Sequence, residues 1–191
     1  MAKPNLDSRS SIPRASASGT YPRARILRVV TTPDPILATR AFDIDPCDPA
    51  MVALAHALVD TMRVSPACVG LAATQVGQAV RIFCMDVSGH RKTRSCAGLV
   101  VLANPRVVAQ SAEIVLREGC MSVPHFTGNV ARAEEVTVEG LELGTARLVR
   151  VTANAMEARC LQHEIDHLDG LVFIDRVRDP ERDLFARKSY A

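Results

Sequence analysis

Apolar and polar positions alternate along this chain in two different rhythms. Residues 48–63 carry Met51, Leu54, Ala55, Leu58 and Met62 at helical spacing, which predicts an amphipathic helix with His56 on its solvated face. Ser65-Pro66 breaks that pattern. After Gln78 the texture turns to strands. An apolar run at 80–87 comes first, then 99–102, with Asn104-Pro105 expected to end it. Residues 106–117 alternate in part, 135–141 alternate cleanly, and 147–151 favour strand. From Thr152 to Leu168 there is neither proline nor glycine. A second helix is expected there, with Thr152 or Asn154 as N-cap and Gly170 just past its end. Strands followed by one long helix predict an α+β fold, with mixed or antiparallel sheets packed around that helix.

Composition narrows the class without changing the fold. The 191 residues are 48% apolar, enough for one domain with a real core, and the net charge of +2 makes no demand for nucleic acid or anionic lipid. No apolar run approaches a membrane span. Residues 1–25 are rich in Ser, Arg and Pro, with Lys3, four arginines and the single acid Asp7. A disordered basic extension is expected; an organellar transit segment shares that composition, and a secretory signal is excluded because no apolar stretch follows the basic residues. Ordered structure should begin near Ile26, and 177–191 reads as a charged tail. Six cysteines in a chain this long do not call for a disulfide framework. Cys84 and Cys160 sit where buried free thiols are ordinary, and a reducing, cytoplasmic (bacterial) setting is expected.

The second helix carries the chemistry. His163-Glu164-Ile165-Asp166-His167 reads H-E-x-x-H, and positions four apart share one helix face, so both imidazoles can reach one metal ion with Glu164 beside them. The plainer reading is a surface helix with Glu164 and Asp166 in solvent. A third ligand decides between the two. The extended H-E-x-x-H-x-x-G-x-x-H pattern has Gly170 in place but Phe173 where its last histidine belongs, and Glu181 is the only glutamate downstream. The ligand must come from upstream, and a cysteine suits best. Cys160 and His167 lie about 10 Å apart along a helix rising 1.5 Å per residue, too far to share an ion held at about 2.0–2.3 Å. Cys120 follows Gly119, which permits close backbone approach, and precedes Pro124, expected to end a strand.

Three stretches then resemble one family. Gly70-Leu71-Ala72-Ala73-Thr74-Gln75-Val76-Gly77, Glu118-Gly119-Cys120-Met121-Ser122 and His163 to Leu168 are similar, in that order, to the signatures of peptide deformylases, and Pro33-Asp34-Pro35 with Leu37 is similar to that family's opening. The resemblance covers roughly 26–176. It implies an enzyme that hydrolyses the N-formyl group from formyl-methionyl nascent polypeptides, at the ribosome, releasing formate. It also implies one divalent ion on Cys120, His163 and His167, with Fe2+ favoured over Zn2+. Glu164 would be the proton shuttle. Gln75 and the backbone N–H of Met121 would be donors to the formyl oxygen, and the Gly70 backbone would receive the peptide. Val69, His125 and Cys160 are pocket candidates; Glu118 and Arg132 would form an ion pair behind the site. A metallopeptidase acting on ordinary amides and a non-catalytic metal-stabilised binding protein are the other classes. One departure stands out: Cys68 occupies the place of a family glycine. Its thiol is expected to line or narrow the substrate entrance, provided its φ is negative.

Overall fold

The structure, a computed structural model, describes residues 25–187. Of the basic extension expected at 1–25, all but Arg25 lies outside the described residues. The first helix, α1, spans Pro49–Val64. Asp48 caps it by accepting from the Ala50 N–H at 2.8 Å, and proline fills the first helical position, where a missing N–H costs nothing. His56 is exposed on it, as expected.

Eight strands form two antiparallel sheets. The larger comprises β1 (Gly70–Ala72), β2 (Ile82–Met85), β3 (Val100–Gln110), β6 (Glu135–Leu141) and β7 (Leu148–Asn154), in that spatial order. The smaller comprises β4 (Glu113–Cys120), β5 (Val123–Ala133) and β8 (Leu184–Ala186). The one parallel element among the described residues is an isolated bridge between Phe42 and Val80.

β2 is apolar at every position because both of its faces are covered. Ile82 and Cys84 join the cluster that includes Leu58 and Met62 of α1. Phe83 and Met85 join the cluster of Leu161, Ile165 and Leu168 on the second helix, α2 (Ala155–Leu168). The larger sheet therefore has a helix on either side, and α2 also touches β5 of the smaller sheet.

α2 begins without a loop. β7 ends at Asn154, and Ala155, at φ +50, turns the chain directly into the helix. Residues 152–154, expected in the helix, are strand. Asn154 caps nothing with its side chain; its Oδ1 accepts from the Ser95 N–H at 3.1 Å. Buried Glu157 accepts from Ser95 Oγ at 2.7 Å and from the Ala97 N–H at 2.6 Å. The polar loop before β3 is thereby pinned to the start of the helix. At the other end Gly170 follows with φ +79.

Three further expectations change. Asn104-Pro105 does not end β3: Asn104 takes φ +49, the register shifts between Ala103 and Arg106, and the strand continues beyond this bulge. Pro124 does not close a strand; β4 ends at Cys120, and Pro124 is the second residue of β5. The charged stretch from 177 contains α3 (Pro180–Asp183) and β8, whose Leu184–Ala186 pair with Phe126–Gly128 of β5. An apolar Leu-Phe pair inside that charged pattern lets it rejoin the sheet.

Candidate metal centre and substrate cavity

Cys120 closes β4, and His163 and His167 lie one turn apart on α2. Their ligand atoms all fall within 4.8 Å of one another. Cys120 Sγ and His167 Nε2 are 3.2 Å apart, and the two rings meet edge to face with centroids 4.8 Å apart. Donor atoms on one tetrahedral ion, at about 2.0–2.3 Å from it, stand roughly 3.5 Å from one another.

His163 is oriented from behind. Its Nδ1 is 2.9 Å from Glu118 Oε2, which leaves Nε2 for the ligand side. Glu118 also accepts from Arg132, at 2.9 Å from Nε and 3.1 Å from Nη2. Arg132 Nη1 donates to Asp166, which accepts in turn from Arg176 at 3.1 and 2.6 Å. Asp166 is buried, so it is not the solvated position of the plainer helix reading. Burial would raise the Glu118 carboxyl, but hydrogen bonds from His163 and Arg132 outweigh it and hold the group down at about 2.

Thiol chemistry separates the cysteines. Burial would push the Cys120 thiol up, yet the two imidazoles beside it carry it well below its ordinary value. Cys160, without such partners, is driven well above by burial and by the charge of Glu164. Burial, with Glu164 adding, pushes Cys68 up to about 12. Only Cys120 of these three is set up to be a thiolate.

Glu164 is 2% exposed and reaches the same space from the helix. Burial pushes its carboxyl up to about 7, against the opposing pull of His163 and His167. Its Oε2 has no hydrogen-bond partner, nor has Nδ1 of His167, whose carbonyl accepts from Thr74 Oγ1 at 3.1 Å. A buried carboxylate oxygen left unpartnered beside three convergent donors suits a divalent ion with one further position for a polar group.

The space is a cavity of about 320 Å³ between the β1 side and the end of β4. Val69, Gly70, Gln75, Cys120, Met121, Cys160, His163 and Glu164 line it, and His167 is buried behind. A side chain at Gly70 would force its neighbours to shift. A Cβ there would meet Glu164 Oε1 and, at 2.7 Å, Cys160 Sγ. Gln75 accepts from the Ala72 N–H at 2.9 Å, which fixes its amide so that Nε2 points to Cys120 Sγ (3.3 Å) and Ser122 Oγ (3.2 Å). Cys68 also lines the cavity. The positive φ falls one residue earlier, at Ala67 (φ +57), and Cys68 Sγ donates to the Gly70 carbonyl at 3.1 Å.

His125 is the pocket candidate the structure moves elsewhere. It sits in the offset between the pairs Gly119–Thr127 and Cys120–Val123, where the register shift turns its side chain out to solvent. Its place is taken by residues the pattern did not single out: Arg117 of β4, Met156 and Arg159 of α2, and Arg187 after β8.

An α+β core presenting a thiolate, two imidazoles and a buried carboxylate to one cavity defines a mononuclear metallohydrolase. Residues 26–183 match the family model described as polypeptide deformylase. A peptide deformylase of Syntrophobacter fumaroxidans is 40% identical over 163 residues, covering 85% of this chain and 93% of that one. Crystal structures agree. The peptide deformylase of Legionella pneumophila superimposes with a TM-score of 0.73 at 34% identity, over 82% of this chain and 89% of its own. That of Ehrlichia chaffeensis in complex with actinonin gives 0.75 at 32%, over 83% and 92%. This chain belongs to the polypeptide deformylase family. The family is metal-dependent, and no helix among the described residues is long and apolar enough to cross a membrane.

Proposed function

We propose that this chain removes the formyl group from the formyl-methionine of newly made polypeptides, with Cys120, His163 and His167 holding the ion and Glu164 moving the proton. The observation that carries the assignment of residues is the convergence of three ligand atoms within 4.8 Å of one another, at a cavity where Glu164 stands so near Gly70 that a side chain there would crowd it. A divalent ion held there supplies Lewis acidity and makes water a better nucleophile at neutral pH.

The remaining work belongs to the chain. The peptide lies extended along the open edge of β1, with the Gly70 backbone as its partner. Val69 and Cys160 line the cavity where its first side chain enters. Gln75 Nε2 and the Met121 N–H donate to the formyl oxygen as charge develops on it, each worth about 3 kcal/mol. A Glu164 oxygen takes the proton from the attacking water. As the C–N bond breaks, Glu164 returns a proton to the amine nitrogen and formate leaves.

Thiolate and imidazole donors accept Fe2+ and Zn2+ alike, and the family likeness favours Fe2+. The setting we assign is the bacterial cytoplasm, on nascent chains at the ribosome. The test is formate release from formyl-Met-Ala-Ser beside Met-Ala-Ser, under nitrogen, with metal analysis of the same sample. Formate from the first peptide and no cleavage of the second is expected. Cleavage of the unformylated peptide would instead make the chain an ordinary metallopeptidase.

A further inference from the structure

Three arginines stand at the cavity: Arg117 near the end of β4, Arg159 on α2 and Arg187 just after β8. Among the described residues none of them forms an ion pair, although seven other arginines do. Arg159 is only 8% exposed, and a buried guanidinium ordinarily has a carboxylate partner. Its Nη1 instead donates to the Arg117 carbonyl at 3.1 Å, and Nη2 lies against Met156 Sδ. Arg117 donates to Asn129 Oδ1 and Thr127 Oγ1 at 3.1 and 3.0 Å, and its Cζ stands 3.4 Å from the Phe185 ring centroid. Arg187 is carried in by β8, its N–H donating to the His125 carbonyl at 2.8 Å, and its Nη2 occupies the space that a side chain at Gly119 would fill. Arg187 also lies beyond residues 26–183, where the family match ends.

The carboxylates at the cavity do not neutralise this cluster. Glu118 is engaged by Arg132 and His163, and Glu164 lies at depth. We propose that Arg117, Arg159 and Arg187 recognise a carboxylate on the substrate, an acidic side chain in the two residues that follow formyl-methionine. This rests on the function proposed above. Arg117 is three strand residues before Cys120, about 10 Å along β4. Arg159 is one turn before His163, about 6 Å along α2. An extended peptide with its formyl carbon at the ligands advances about 3.3 Å per residue, so its second and third residues come level with the arginines. A carboxylate carried there offers the two oxygens that a guanidinium fork binds.

The experiment compares C-terminally amidated formyl-Met peptides with Glu or Gln at position two or three, so that the side chain is the sole carboxylate. kcat/KM is measured at about 20 mM and about 500 mM salt, where screening differs several-fold. The Glu peptide should be favoured about tenfold at low salt, with the ratio falling several-fold at high salt. In R117Q/R187Q, two exposed positions, the ratio of Glu to Gln peptide should drop to about threefold or less. Arg159 stays intact so that folding is not in question. Equal rates for Glu and Gln peptides at low salt would overturn this inference and leave the proposed function standing. An undiminished ratio in the double variant would do the same. Hydrolysis of neither peptide would remove the function and this inference together.

Discussion

Arg132 and Arg159 are buried to nearly the same degree, 4% and 8% exposed, yet the two sides of the cavity use them in opposite ways. Behind the ligands Arg132 is gripped by Glu118 and Asp166, and burial, which would lower its pKa, is outweighed by those carboxylates. Its charge is consumed inside the protein, where it fixes His163 through Glu118. At the mouth Arg159 has sulfur and a carbonyl for company. The contrast separates what holds the site rigid from what is left to meet a ligand. A paired buried charge is architecture, whereas an unpaired one at a cavity wall is an unmet demand for an anion.

Changes at the reacting end should have the largest effect. Glu164→Gln keeps the three ligand residues and removes the proton carrier, so metal content should hold while turnover falls about 10²–10⁴-fold. Metal analysis beside formate release measures both, and more than about a tenth of wild-type turnover would refute the assignment.

Breaking the rear wall should act on stability and metal together. Arg132→Met leaves Glu118 buried without its guanidinium and Asp166 with Arg176 alone, at an expected cost of about 3–5 kcal/mol in denaturant unfolding. Metal affinity should weaken about 10–100-fold as His163 loses its backing. Arg117→Gln at the mouth should change stability by less than about 0.5 kcal/mol. Similar losses in the two variants would erase the distinction between wall and mouth.

Acid sharpens the same comparison. Glu118 is held down at about 2 in the fold, below the ordinary carboxylate value. A depressed folded-state pKa contributes stability above the unfolded value, about 4.3, and that stability is lost as pH falls toward 2. Unfolding free energy should therefore drop across that window, and the slope should be shallower in Glu118→Gln. Equal slopes would mean that Glu118 is not the group titrating.

The smallest effect is expected at the entrance. Cys68→Gly frees the Gly70 carbonyl from its thiol donor and opens the mouth. We expect kcat/KM on formyl-Met peptides to rise about two- to fivefold, with melting temperature nearly unchanged, since a bond from a weak S–H donor contributes at the low end of about 0.5–1.5 kcal/mol. An unchanged profile would leave Cys68 as packing.

Much of this was legible where one local rule acted alone. Alternation at 135–141 matched β6 residue for residue, and a proline-led apolar face matched α1 to within a residue at each end. H-E-x-x-H announced the ligand helix because helical spacing is itself the geometry of the site. Legibility failed where a rule was interrupted or satisfied at long range. β5 carries Pro124, Gly128 and an offset in its pairing with β4, so no clean period marks it. Asn104-Pro105 has the composition of a strand end, but the side chain of Asn104 bonds the Ile44 backbone at 3.0 and 2.9 Å and steadies a bulge instead. Asp166 and Arg159 sit on a helix whose sequence cannot say which polar residue will be buried. Arg187 reaches the cavity because Leu184–Ala186 pair with β5, a long-range contact that a Leu-Phe pair in a charged stretch signals only weakly.

The crowding at Gly70 has a consequence for how this sequence can drift. Positions 70 and 164 are distant in the chain, but the carboxylate at 164 occupies the volume that any larger residue at 70 would need. Their fates are therefore joined. A lineage that acquires alanine at 70 must displace the Glu164 carboxylate and the Cys160 sulfur, even with both codons intact. A library that randomises 70 and selects for deformylation should return glycine almost alone. One that first shortens 164 to aspartate and 160 to alanine should accept alanine at 70, trading catalytic competence for tolerance.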